Sequence, residues 1–96
     1  MAFKTLFLAH APDADCEKHR NVIDTGKYGL FTVVVKSQSE AIKVSKELYE
    51  KEKINAILLC PGFTHKDVAE LFQEFDGKVS VNGARAMFPT TKFLGL

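Results

Sequence analysis

The order of apolar segments predicts an α/β protein: one small domain, residues 1–96, built on a four-stranded, mainly parallel sheet. Three observations carry this. Residues 30–35 are continuously apolar and β-branched, the pattern of a strand buried on both faces of a covered parallel sheet, and residues 54–59 are a second apolar run. Each run is followed by an amphipathic segment of helical period, so strands and helices alternate. No two strand-like runs are joined by a recognisable tight turn, so right-handed crossovers are the expected connections.

Taken in order, residues 3–9 are apolar apart from Lys4 and Thr5 and make the first strand. Pro12 ends it, because proline gives no amide to a ladder and drives Ala11 extended. Asp13 or Asp15 then caps a short helix over residues 16–23, with Cys16, His19, Arg20 and Ile23 on one face. Residues 25–29 are loop, broken by Gly26 and Gly29. The second strand, 30–35, leads to Ser37 and Glu40, a capping box for a helix reaching about residue 51. Its apolar edge runs through Ala41, Ser45, Leu48 and Glu52, widened by Ile42 and Tyr49, while Glu47, Glu50 and Lys51 face water.

The third strand is 54–59. Thr64 opens the clearest helix, with Val68, Leu71, Phe72 and Phe75 on one stripe, and Asp76 and Gly77 stop it. Residues 78–81 alternate, as an edge strand with one wet face does. Residues 87–96 are apolar without a period and are expected across an open sheet face or against another subunit. The sum, β-(short α)-β-α-β-α-β, is that of a flavodoxin-like half; a ferredoxin-like α+β arrangement is the alternative and needs a hairpin.

Composition narrows the function classes. A formal net charge of +1, with acids and bases interleaved, leaves no electrostatic footprint for nucleic acid or an anionic membrane. Two cysteines, Cys16 and Cys60, make no disulfide framework. Lys4 and the apolar residues 6–9 mimic a secretory leader but are too short for one, and no run approaches membrane length. The reduced cytoplasm is the expected location.

Parallel strands share a carboxyl edge, and open α/β sheets bind ligands there. His10 and Asp13 follow the first strand. Cys60-Pro61-Gly62-Phe63-Thr64-His65 joins the third strand to its helix, Arg85 follows the fourth, and Cys16, His19 and Arg20 hang over the same rim. Three chemistries fit these residue types. His10, Cys16, His19, Cys60 and His65 include zinc or iron ligands, though without a Cys-x-x-Cys or His-x-x-x-His pair. The helix start at Phe63, Thr64 and His65, approached closely at Gly62 and forked by Arg85, suits a small anion. His10, His19 and His65 are acid–base candidates and Cys60 a nucleophile candidate.

Each has a plainer reading: structural histidines, a thiol ending its strand, Thr64 as a cap, Gly62 as a turn residue, Arg85 in solvent. Neither an enzymatic reaction nor a cofactor is specified. Two classes of function stay open. One is a protein binding a small anionic ligand or metal ion at the carboxyl edge. The other is a non-catalytic interaction module that self-associates as a homo-oligomer.

Ala11-Pro12-Asp13-Ala14-Asp15 followed by Glu17-Lys18-His19-Arg20, the helix from Ala41, Cys60-x-Gly62-Phe63-x-His65 and Arg85 resemble a family of small prokaryotic proteins to which no function is assigned. The likeness covers most of the chain. It departs at Pro61, where a second glycine is expected, at Thr64, and in the apolar tail after Arg85. It implies a compact α/β protein with the motif residues on one rim, and no activity.

Overall fold

The computed structural model describes residues 3–84. Strand β1 (Phe3–His10) is followed by β2 (Arg20–Asp24), β3 (Tyr28–Val35), helix α1 (Gln38–Glu52), β4 (Ala56–Leu59), α2 (His65–Glu74) and β5 (Ser80–Gly83). They form a single α/β domain with a five-stranded sheet in the order β2-β3-β1-β4-β5. Neighbours among β3, β1, β4 and β5 run parallel, and β2 is antiparallel to β3.

The four expected parallel strands are present, with β5 at an edge. The correction is the segment before β3. Residues 20–24 are a strand, not part of a helix over 16–23, and a hairpin joins them to β3. The helical spacing of Cys16, His19, Arg20 and Ile23 is coincidental: pairing with β3 outweighs it. Asp15 organises a turn instead, its carboxylate accepting from the Glu17 amide at 3.0 Å and its carbonyl from the Lys18 and His19 amides. Gly26, with φ of 95°, begins the two-residue connection Gly26-Lys27, the place where a type II′ turn takes glycine. Gly29 is no breaker; it lies within β3.

The helices form where local signals placed them. Ser37 Oγ accepts from the Glu40 amide at 3.2 Å, while Glu40 reaches back one residue further than expected, to the Lys36 amide. Thr64 and Asp67 make the full reciprocal box at α2. Val44 joins Ala41, Ser45 and Leu48 on the buried side of α1. On α2 only Leu71 is fully inside the stripe, with Phe75 just beyond it; Phe72, expected inward, is 49% exposed.

Both helices cover one face of the sheet. Leu6 and Leu8 of β1, Val33 and Val35 of β3, and Ile57 and Leu59 of β4 are at most 1% exposed and share the core with Ala41, Val44, Leu48, Leu71 and Phe75. Tyr49 and Phe75 meet edge to face at 5.4 Å, and Lys46 pairs with Glu74 at 2.9 Å, holding α1 to α2. Burying the core side chains contributes about 1.5–3 kcal/mol each, the dominant favourable term. The alternate residues, Phe3, Thr5, Phe7 and Ala9 of β1, Tyr28, Leu30, Thr32 and Val34 of β3, and Ala56 and Leu58 of β4, point to the opposite face. No described helix covers that face.

Candidate functional site

Strand order builds the carboxyl edge. Because β1 lies between β3 and β4, His10 ends beside Cys60. The Cys60 amide donates to the Leu8 carbonyl at 3.0 Å, carrying the β1–β4 ladder one residue past β4. The chain then turns, with the Phe63 amide on the Cys60 carbonyl at 3.1 Å and the Gly62 amide on Cys60 Sγ at 3.4 Å. Phe63 is buried, and its ring packs tilted on the His10 imidazole with centroids 5.6 Å apart.

His10 Nε2 lies 3.1 Å from the Lys36 carbonyl oxygen. A carbonyl only accepts, so Nε2 is the donor here and Nδ1 is the ring nitrogen left for another partner. A methyl group on Gly62 would stand 3.4 Å from Cys60 Sγ, 3.5 Å from His10 Cβ and 3.9 Å from His10 Nδ1. The absent side chain therefore leaves a small space bordered by an imidazole nitrogen and a sulfur.

The other expected residues sit elsewhere on the rim or are engaged. His19 precedes β2, which is antiparallel, so it reaches the same edge on the far side of β3. Its Nδ1 accepts from the Asp15 amide at 2.9 Å. The Asp15 carboxyl is held below its ordinary 3.8, chiefly by the Glu17 amide. Cys16 is half-buried against the core. His65 is the exposed first residue of α2. Arg85 and residues 87–96 lie outside the described residues.

At the start of α2 the Thr64 amide is taken by Asp67 Oδ2 at 2.9 Å and the Asp67 amide by Thr64 Oγ1 at 3.1 Å. The Asp67 carboxylate thus occupies part of the positive pole an external anion would use. Among the described residues, no three His, Cys, Asp or Glu side chains gather to hold a metal ion.

All of the described residues fall within the match to one family model, which runs from residue 3 to residue 92. The chain belongs to DUF6506, a family of unknown function. This agrees with the resemblance read from the residues. Nothing among curated proteins and nothing among solved structures matches the chain. No described helix is long and apolar enough to cross a membrane.

What sequence reasoning missed lies on the opposite side of the sheet and at its β2 edge. Phe3, Ile23 and Tyr28 are 46%, 55% and 39% exposed on the uncovered face, Phe3 and Tyr28 stacking with centroids 6.1 Å apart. Beside β2, a groove of about 250 Å³ runs over Val22, Phe31, Val33 and Leu48 to α1, where Arg20 meets Glu47 at 3.5 Å. The available signal was the turn Asp24-Thr25-Gly26-Lys27 between two β-branched stretches.

Proposed function

We propose that this DUF6506 protein is an interaction module that assembles with copies of itself through the uncovered face of its sheet. The observation that supports the reading is the apolar character of that face. Phe3, Ile23 and Tyr28 are exposed on it, and Phe7, Leu30, Val34 and Leu58 are half-buried beside them. Water contact with such a surface costs about 25 cal/mol per Å², and a self-complementary contact removes it. Contiguous exposed apolar area on a small domain marks an interaction site more often than it marks nothing.

Light scattering on sized protein tests this at about 100 µM, where a micromolar dimer is largely formed. The wild type is expected above monomer mass, and Phe3→Lys/Tyr28→Lys is expected to lower the order of assembly. Both positions are exposed, so folding should survive. A monomeric wild type, or a mass the double variant leaves unchanged, overturns the reading.

A second reading has its own observation: the space over Gly62 between His10 Nδ1 and Cys60 Sγ. Imidazole and thiolate both ligate zinc, and with Asp67 already at the helix start a metal ion held by these two donors is the rim ligand this reading takes. A zinc-dependent rise in melting temperature, lost in His10→Ala and in Cys60→Ala, is the expected result. A melting temperature indifferent to zinc, or a rise those variants retain, rejects it.

A further inference from the structure

Among the described residues strand β2 is an edge, and it carries no lysine, proline or bulge to guard it. Natural edge strands discourage pairing with lysine, proline or a bulge. Arg20-Asn21-Val22-Ile23-Asp24 contains no lysine or proline and pairs with β3 in unbroken register. Val22 and Ile23 are 52% and 55% exposed, on opposite faces. The Val34 amide bonds the His19 carbonyl, and the Thr25 amide bonds the Tyr28 carbonyl. With those two bonds framing the hairpin, residues 19, 21, 23 and 25 bond inward to β3. Arg20, Val22 and Asp24 turn their N–H and C=O groups outward.

We infer that β2 pairs antiparallel with β2 of a second copy, about a two-fold axis at Val22, so that one sheet continues across both chains. The register follows from charge and hydrogen bonding together. Centred on Val22, the pairing opposes Val22 to its own copy and Arg20 to Asp24 of the second chain. Every outward residue then faces an outward residue and exchanges both bonds. A one-residue slip sets outward groups against inward ones. A two-residue slip keeps the bonding but sets Arg20 or Asp24 against Val22, so the charges gain no partner across the chains.

The strand is therefore self-complementary in charge. Opposite charges across a strand pair stabilise it and like charges oppose it. Asn21 meets Ile23 of the second copy on the uncovered face, which joins the two apolar faces. Arg20 donates through Nε to the Cys16 carbonyl at 2.6 Å and meets Glu47 through Nη1, while Nη2 is buried with no acceptor among the described residues, so the guanidinium turns outward to meet Asp24 of the second chain. Asp24 accepts from the Gly26 amide through Oδ1 at 2.8 Å, which leaves its second oxygen for the arginine. The pairing rests on the assembly reading but uses the edge rather than the face.

Sedimentation at about 100 µM decides it. Val22→Pro removes an outward amide without touching a bond to β3 and is expected to weaken association at least about tenfold. Arg20→Asp and Asp24→Lys each set like charges opposite one another and are each expected to lose the edge-to-edge step alone, sedimenting below the wild-type mass. Mixed in equal amounts they restore opposite charges at both pairs and are expected to form a heterodimer. Circular dichroism reports folding, and if Val22→Pro does not fold, the mixing experiment still decides. A mixture that stays at the mass of the separate variants overturns the register. A wild-type mass kept by all three variants overturns the edge and leaves the assembly reading standing. A monomeric wild type overturns both.

Discussion

A methyl group on Gly62 would touch Cys60 Sγ at 3.4 Å and His10 Cβ at 3.5 Å, which are ordinary contacts. Gly62→Ala should therefore change stability by no more than about 1 kcal/mol, the usual range for a surface substitution free of strain. It should fill the space between imidazole and sulfur all the same. If that space takes a metal ion, the variant loses the zinc-dependent melting shift while its metal-free melting temperature stays near the wild-type value. Titration of both proteins with zinc by thermal melting checks this; an undiminished shift in Gly62→Ala places the metal elsewhere. The closeness of His10, Cys60 and Gly62 was legible in the residues, since ends of adjacent parallel strands converge. The occupied amides of α2 were less so. The Thr64–Asp67 box is readable as a cap, but its carboxylate blocks an anion only once the cap is seen to close.

At the scale of elements, helices were readable because their signals are local. Ser37 and Thr64 cap within three residues of their partners, and Asp76 and Gly77, at φ of 50° and 77°, end α2 as positive-φ residues do. The hairpin was not readable for an equally local reason. Both central residues of β2, Val22 and Ile23, are exposed, so no period of two marks it. Its edge position removes the burial that would have imposed one. Lys53 carries the next prediction. It closes α1 in the left-handed region at φ 57°, its amide on the Tyr49 carbonyl at 3.0 Å. An L-residue there costs about 1 kcal/mol more than glycine. Lys53→Gly also gives up the Lys53 ammonium 5.7 Å from the Tyr49 ring centre, an exposed contact of about 0.5 kcal/mol. The net effect expected is a rise of a few degrees in the melting midpoint, read by calorimetry; a fall would mean the ammonium–ring contact outweighs the backbone strain.

For the whole molecule, strand order is the property that no local pattern carries. Helices α1 and α2 each connect neighbouring parallel strands or cross one, and right-handed crossovers in the same direction set both on one face. The strand expected to be buried on both faces is covered by described helices on one face alone, the other being the open face the sequence also led one to expect. Alternate residues of β1 and β3 are largely apolar on both sides, yet one side has no described helix above it, and that apolar surface is the ground of the assembly proposal. Among the described residues the same topology bonds β2 on one side only, which gives a residue-level signature of association. In dilute protein, amide exchange should be slower at Asn21, Ile23 and Thr25, whose N–H groups point to β3, than at Arg20, Val22 and Asp24. Raising the concentration should slow exchange at Arg20, Val22 and Asp24 while leaving their neighbours unchanged, because only outward amides gain a partner from the second chain. Protection that grows instead across β1 and β3 without favouring the outward amides of β2 would locate the contact on the sheet face.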